Sequence, residues 1–160
     1  MPDSDNKYLI FHVEGRTFCI CFSDVLMIIA AQEAKRIPDF PDYVLGTIVS
    51  EGRTVTVIDL RRRFMYKHEV KSDRQCIMIC DGSKNLGLLC DSITGFVEVS
   101  PEKIQPPPDI NEQINARFIS GTFLYEGEPC HIIKPELVIR PDDEKFLAKL
   151  PELLKDSEET

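Results

Sequence analysis

The nucleophiles, bases and ligands of this 160-residue chain are scattered rather than gathered. Three histidines stand alone at His12, His68 and His131, and His12 and His131 fall inside apolar, strand-like runs where a structural imidazole is the simpler reading. His131 follows Cys130 directly, but neighbours on a strand point to opposite faces and are badly placed to share a proton. The six cysteines, Cys19, Cys21, Cys76, Cys80, Cys90 and Cys130, lack the Cys-x-x-Cys spacing of a zinc or redox site. Each lies in an apolar run and reads as a reduced core thiol. No Gly-x-Ser-x-Gly elbow, Gly-rich Lys-Ser/Thr phosphate loop or His-Glu-x-x-His helix occurs. The residues therefore predict no catalytic group, no metal site and no cofactor.

Charge narrows the partners. The formal net charge is −8, the reverse of the basic footprint that phosphate neutralisation requires, so nucleic acid is not expected. Residues 141–160 carry seven acidic and three basic side chains, which leaves the body only mildly acidic and able to present a nearly neutral surface. The one basic cluster, Arg61-Arg62-Arg63, reads as a solvated helical turn, with one arginine available to a partner's carboxylate. No apolar run approaches the roughly 20 residues of a membrane span, and Met1-Pro2-Asp3-Ser4-Asp5 does not resemble an export signal. The cytoplasm is the expected compartment.

The positioning elements are strands. Apolar residues alternate over Tyr8–Val13 and Thr17–Phe22, with Phe18, Ile20 and Phe22 on one face and the cysteines on the other. An acidic residue followed by Gly separates the runs at Glu14-Gly15, Glu51-Gly52, Asp81-Gly82 and Glu126-Gly127, predicting four hairpins. The order repeats: Gly46-Thr47-Ile48-Val49-Ser50-Glu51-Gly52 matches Gly121-Thr122-Phe123-Leu124-Tyr125-Glu126-Gly127. Residues from about 8 to 60 and from about 76 to 135 thus read as two copies of one antiparallel unit of about five strands. An antiparallel sheet of that size closes its edges best by curling into a barrel, so the expected class is all-β, two small packed barrels, with one sandwich as the alternative. Short helical turns are expected near Ser23–Ile29 and Leu60–Tyr66. A C-terminal helix is expected beyond Pro141, with Phe146, Leu147, Leu150, Leu153 and Leu154 on one face, packed back onto the barrels or binding a partner. The expected division is a flexible 1–7, one domain over 8–139 and a helix with an acidic tail over 140–160.

The run Ile37-Pro38-Asp39-Phe40-Pro41-Asp42-Tyr43-Val44-Leu45-Gly46, continuing through Gly52 and Val57-Ile58-Asp59-Leu60-Arg61-Arg62-Arg63-Phe64, resembles the signature of CheW-like coupling proteins. Leu86–Ile93, Ile104–Pro108 and Phe118–Gly121 resemble later segments of the same family, and the matches span about residues 8 to 139. The resemblance implies two intertwined five-stranded barrels of SH3-like topology and a scaffold function. One barrel would dock on the regulatory domain of a CheA-type histidine kinase, and a groove near the barrel junction would hold the tip of a methyl-accepting chemoreceptor. Partner contacts are expected from Pro38, Phe40, Pro41, Tyr43, Val44, Gly46, Glu51, Gly52, Asp59, Arg62, Val97, Val99, Ile119 and Gly121. Where the family usually reads Asn-Leu-Arg-Gly, this chain has Val49-Ser50-Glu51-Gly52, and the family's Leu-Leu-Asp is Ile132-Ile133-Lys134 here. Both changes reverse a charge, which implies matched partners of its own. A stand-alone peptide-binding barrel serving another signalling or motility pathway is the competing reading.

Overall fold

The computed structural model describes residues 6–66, 72–81, 85–106, 118–140 and 143–145. Ten strands order them: β1 (Lys7–Val13), β2 (Arg16–Cys21), β3 (Val25–Ala30), β4 (Val44–Ser50), β5 (Arg53–Asp59), β6 (Cys76–Cys80), β7 (Leu86–Cys90), β8 (Ser92–Glu98), β9 (Ile119–Tyr125) and β10 (Glu128–Ile133). Two single-turn helices, α1 (Leu60–Arg63) and α2 (Pro135–Val138), follow β5 and β10.

The strands form two five-stranded sheets, ordered β8-β1-β2-β10-β9 and β3-β6-β7-β5-β4. Advancing every strand of the first order by five places, cyclically, reproduces the second. The sequence repeat is therefore real, but the sheets do not follow it. The expectation of one barrel from about 8–60 and another from 76–135 is corrected: each sheet takes the leading hairpin of one repeat and the three trailing strands of the other. Four pairings make the exchange: the parallel pairs β10 with β2 (Ile132 opposite Cys19) and β5 with β7 (Val57 opposite Gly87), and the antiparallel pairs β8 with β1 and β3 with β6. Each sheet then closes on itself, because the chain leaving β3 pairs Lys35 with Thr47 of β4 and the chain leaving β8 pairs Gln105 with Thr122 of β9.

Three cores result. One lies inside the first barrel (Tyr8, Ile10, Cys19, Phe123, Cys130, Ile132) and one inside the second (Ile48, Val55, Val57, Ile77, Ile79). The largest lies between the barrels, where Phe64 is stacked on Phe118 at 4.6 Å between ring centroids and Phe18 sits 4.8 Å from Phe64. Strands β1, β2, β6 and β7 thus bury both faces, one in a barrel and one between barrels, which is why their sequences read as nearly unbroken apolar runs. Cys19, Cys80, Cys90 and Cys130 share this burial, whereas Cys21 and Cys76 are half-buried, which corrects the expectation that every cysteine is a core thiol. Burial pushes the Cys19 thiol far above its usual range and those of Cys80 and Cys90 up to about 12, leaving each a neutral hydrophobe.

Three of the four acidic-Gly turns are described, and in each both central residues have positive φ, the geometry of a two-residue hairpin. The helix expected at Ser23–Ile29 is corrected. Only Phe22–Asp24 forms a 3-10 turn, and Val25–Ala30 is strand β3, because its apolar run finds β6 to pair with, from Val25 opposite Cys80 to Ala30 opposite Cys76. Residues 1–5, Gly82, Pro107-Pro108 and the apolar face of the expected C-terminal helix lie outside the described residues.

Candidate partner-binding surface

The arginine cluster divides. Arg61 and Arg63 are buried, which corrects the expectation of a solvated turn. Arg61 leaves α1 towards the junction of the barrels, where its Nε and an Nη hydrogen each donate at 2.7 Å to the two carboxylate oxygens of Asp91, and its other terminal nitrogen pairs with Glu14. Asp91 also accepts the backbone amide of Glu14 at 2.8 Å. The three side chains tie the β1–β2 turn, the end of β5 and the crossing from β7 to β8 into one joint; Asp91 and Glu14 raise the hold of Arg61 on its proton. Arg63 lies under Tyr43 and Phe118, its guanidinium carbon 5.5 and 4.9 Å from their ring centroids, and donates to the Val138 carbonyl. Arg62 alone is half-exposed, 3.6 Å from Asp59 and 3.5 Å from Asp42.

The other expected contact residues divide in the same way. Pro38, Glu51 and Gly52 are exposed, and Phe40, Pro41 and Val97 are half-buried. Tyr43, Val44, Gly46, Asp59, Val99, Ile119 and Gly121 are buried in this chain, so they are not among the exposed residues. Tyr43 fixes the chain end instead: its hydroxyl donates to Asp143 and accepts the amide of Arg140 at 3.2 Å, and burial pushes the phenol up to about 12. Asp59 caps α1 through a 3.0 Å bond from the Arg61 amide, and burial raises its carboxyl above the ordinary value. Cys130 points into the first barrel while His131 turns away to Thr122, Nδ1 to Oγ1 2.9 Å, so the two share no proton.

Exposed apolar side chains lie elsewhere, singly at the hairpin tips (Val49, Leu124) and at Met65 and Leu137, and together on β3 and β8. The outer face of β3 carries Leu26 and Ile28, 49% and 44% exposed, and β8 carries Phe96, 54% exposed. Phe96 meets Phe22 edge to face at 5.1 Å, and the Lys7 ammonium lies over both rings at 4.6 and 4.7 Å. Strand registers make Ile28 and Phe96 equivalent in the two repeats, since Met78 and Leu9, their partners on β6 and β1, are equivalent as well. The sequence concealed this surface because β3 is apolar on both faces, and an unbroken run does not say which side is wet.

Against known families, residues 7–142 match the CheW-like domain. The chain belongs to the CheW-like family. Relatives in the CheW family include the chemotaxis protein CheW of Rhizobium meliloti, 28% identical over 149 residues that cover 92% of this chain and 96% of that protein. The probable chemotaxis protein CheW of Rhizobium etli is 30% identical over 137 residues, 85% of this chain and 88% of that one. In three dimensions the chain is similar to the scaffolding protein TtCheW from Thermoanaerobacter tengcongensis, with a TM-score of 0.79 at 24% identity over 87% of this chain and 90% of that one. The CheW-like fold of two intertwined five-stranded barrels thus accounts for the strand exchange.

Proposed function

We propose that this chain is a non-catalytic chemotaxis adaptor that couples chemoreceptors to a CheA-type histidine kinase. The observation that carries the reading is the pair of equivalent edge strands, β3 and β8, that hold Leu26, Ile28 and Phe96 in solvent while the apolar side chains of the neighbouring β1, and Phe18, Cys19 and Ile20 of β2, are packed away. Apolar anchors of this size, with the Lys7 ammonium over the Phe96 ring, suit the centre of a protein interface. Family membership supplies the pathway, and the tip of a methyl-accepting receptor is the partner proposed for this surface.

The kinase regulatory domain is proposed for the exposed hairpin tip of β4 and β5, where Glu51 projects from a positive-φ turn with Arg62 near the strand's far end. The setting proposed is cytoplasmic, at membrane-associated receptor arrays; among the described residues no helix is long and apolar enough to cross a membrane. Titration of purified receptor-tip and kinase regulatory fragments tests both halves. Phe96→Ser and Ile28→Ser should each weaken the receptor fragment at least tenfold and leave the kinase fragment unchanged, as expected for truncated anchors. Glu51→Arg should weaken the cognate kinase fragment and favour one whose usual adaptor carries arginine there. Wild-type affinity in all three variants would overturn the assignment.

A further inference from the structure

The second barrel holds a pair of thiols where the first holds Lys7 and Phe22. Met78 and Leu9 are equivalent, so two residues back Cys76 corresponds to Lys7, and the registers of β6 with β7 and of β1 with β2 make Cys90 the counterpart of Phe22. Side chains at these two positions converge: in the first barrel the Lys7 ammonium lies 4.7 Å from the Phe22 ring centroid. In the second, Cys76 and Cys90 are directly opposite on antiparallel strands, and the Cys90 thiol is 3.7 Å from the Cys76 carbonyl.

The pair meets the spacing that a disulfide needs. The Ala31 amide bonds the Gln75 carbonyl at 3.1 Å, so the main chain of Gln75 points to β3 and that of Cys76 to β7. Cys76 and Cys90 are then a hydrogen-bonded antiparallel pair, whose Cα atoms stand about 5.5 Å apart, inside the span that a disulfide bridges. Access to the two is graded. Cys76 is half-buried at the start of β6, and Cys90 is 1% exposed beside it. Cys21, the other half-buried thiol, is opposite Tyr8, while Cys19 and Cys130 are closed off inside the first barrel.

We propose that Cys76 and Cys90 form a reversible oxidation site for hydrogen peroxide, in which Cys76 is oxidised first and Cys90 resolves it to a cross-strand disulfide. The Cys76 sulfur attacks one peroxide oxygen, the O–O bond breaks, and a sulfenic acid forms as water leaves with the thiol's proton. Cys90 then attacks the Cys76 sulfur, the S–O bond breaks, and a second water carries off the Cys90 proton. Two thiols are thereby oxidised to one disulfide while the peroxide is reduced to two waters. Placement on paired strands favours the second step over attack by any other thiol. Burial raises both thiols, so the site ignores trace oxidant and answers sustained exposure. Cys76 is opposite Ala30 on β3, next along the same face from the pair of Met78 and exposed Ile28, so the bridge closes beside an apolar anchor. The site rests on register and access and does not depend on the adaptor reading.

Exposure of the reduced full chain to hydrogen peroxide, followed by alkylation and peptide mass spectrometry, tests it without any receptor or kinase fragment. The free-thiol count should fall by two from six, with loss of two hydrogens, and dithiothreitol should restore it. Fragmentation should place the link between Cys76 and Cys90 rather than Cys80, which shares the tryptic peptide of Cys76. The rate should rise about tenfold per pH unit above neutrality, as for a thiol that holds its proton. Cys90→Ala should stop at a Cys76 sulfenic acid that dimedone traps, and Cys76→Ser should lose both the trapped adduct and the bridge. If Cys90→Ala does not fold, dimedone added to the wild type at early times should trap the same Cys76 adduct. Oxidation of the folded wild type without a Cys76–Cys90 bridge would overturn the proposal, as would faster linkage of any other pair or a Cys76 sulfenic acid that persists unresolved.

Discussion

Glutamate is a poor choice for left-handed backbone, yet Glu14, Glu51 and Glu126 all occupy it, with φ of 52°, 49° and 53°. A non-glycine residue held there costs of order 1 kcal/mol, and asparagine tolerates the region better. Glu126→Asn should therefore raise stability by about 0.5 kcal/mol in urea titration, and Glu51→Asn by a similar amount. Glu14→Asn should lower it, because Glu14 also holds Arg61. Tyr43 gives a pH test with a definite sign. Its phenol is held up to about 12 against an ordinary value of 10.0, so the folded state binds the proton more tightly. That stabilisation is fully present below about pH 10 and is lost as pH rises to about 12. Tyr43→Phe should flatten the stability profile in this window relative to wild type, measured by circular dichroism. The sequence showed the acidic-Gly turns and the type of Tyr43, but not its burial: an aromatic in a Pro-rich approach looks like a contact residue until Arg63 and Arg140 are seen against its ring.

At the scale of elements, the Gly-Thr pair that opens β4 and β9 marks where each barrel closes. The closing strand passes directly over the glycine. A Cβ on Gly46 would run into the Lys35 carbonyl, and one on Gly121 would sit 2.7 Å from Ile104 Cγ2 and 3.0 Å from the Gln105 carbonyl. Gly46 also has φ of +145°, whereas Gly121 has no such constraint. Gly46→Ala should thus cost about 4 kcal/mol and Gly121→Ala about half as much, read from urea midpoints. The heptad repeat was legible because this closure is local and demands the same residues twice. Strand β3 was not, since the partner that makes Val25–Ala30 a strand is β6, some fifty residues away, and local sequence carries no record of it.

At the scale of the molecule, the repeat in sequence and the repeat in space are different partitions of one chain. The second barrel is the contiguous run β3–β7, set into a first barrel made of β1, β2 and β8–β10, so it is the large core shared between the barrels, with the joint of Arg61, Asp91 and Glu14, that makes each depend on the other. Sequence periodicity could count the strands but could not assign them, because β5 and β10 leave their own repeat only through parallel pairings with β7 and β2. A single cooperative transition is the consequence. Arg61→Met, which leaves two carboxylates facing each other in a largely buried site, should lower stability by about 3 kcal/mol. Native-state hydrogen exchange of that variant decides whether the loss is shared. Amides of β1 and β2 in one barrel and of β6 and β7 in the other should lose protection by the same factor, since both report one global opening. If β6 and β7 kept wild-type protection while β1 and β2 lost theirs, the barrels would be independent units, and the coupling argued from the shared core and the Arg61 joint would fail.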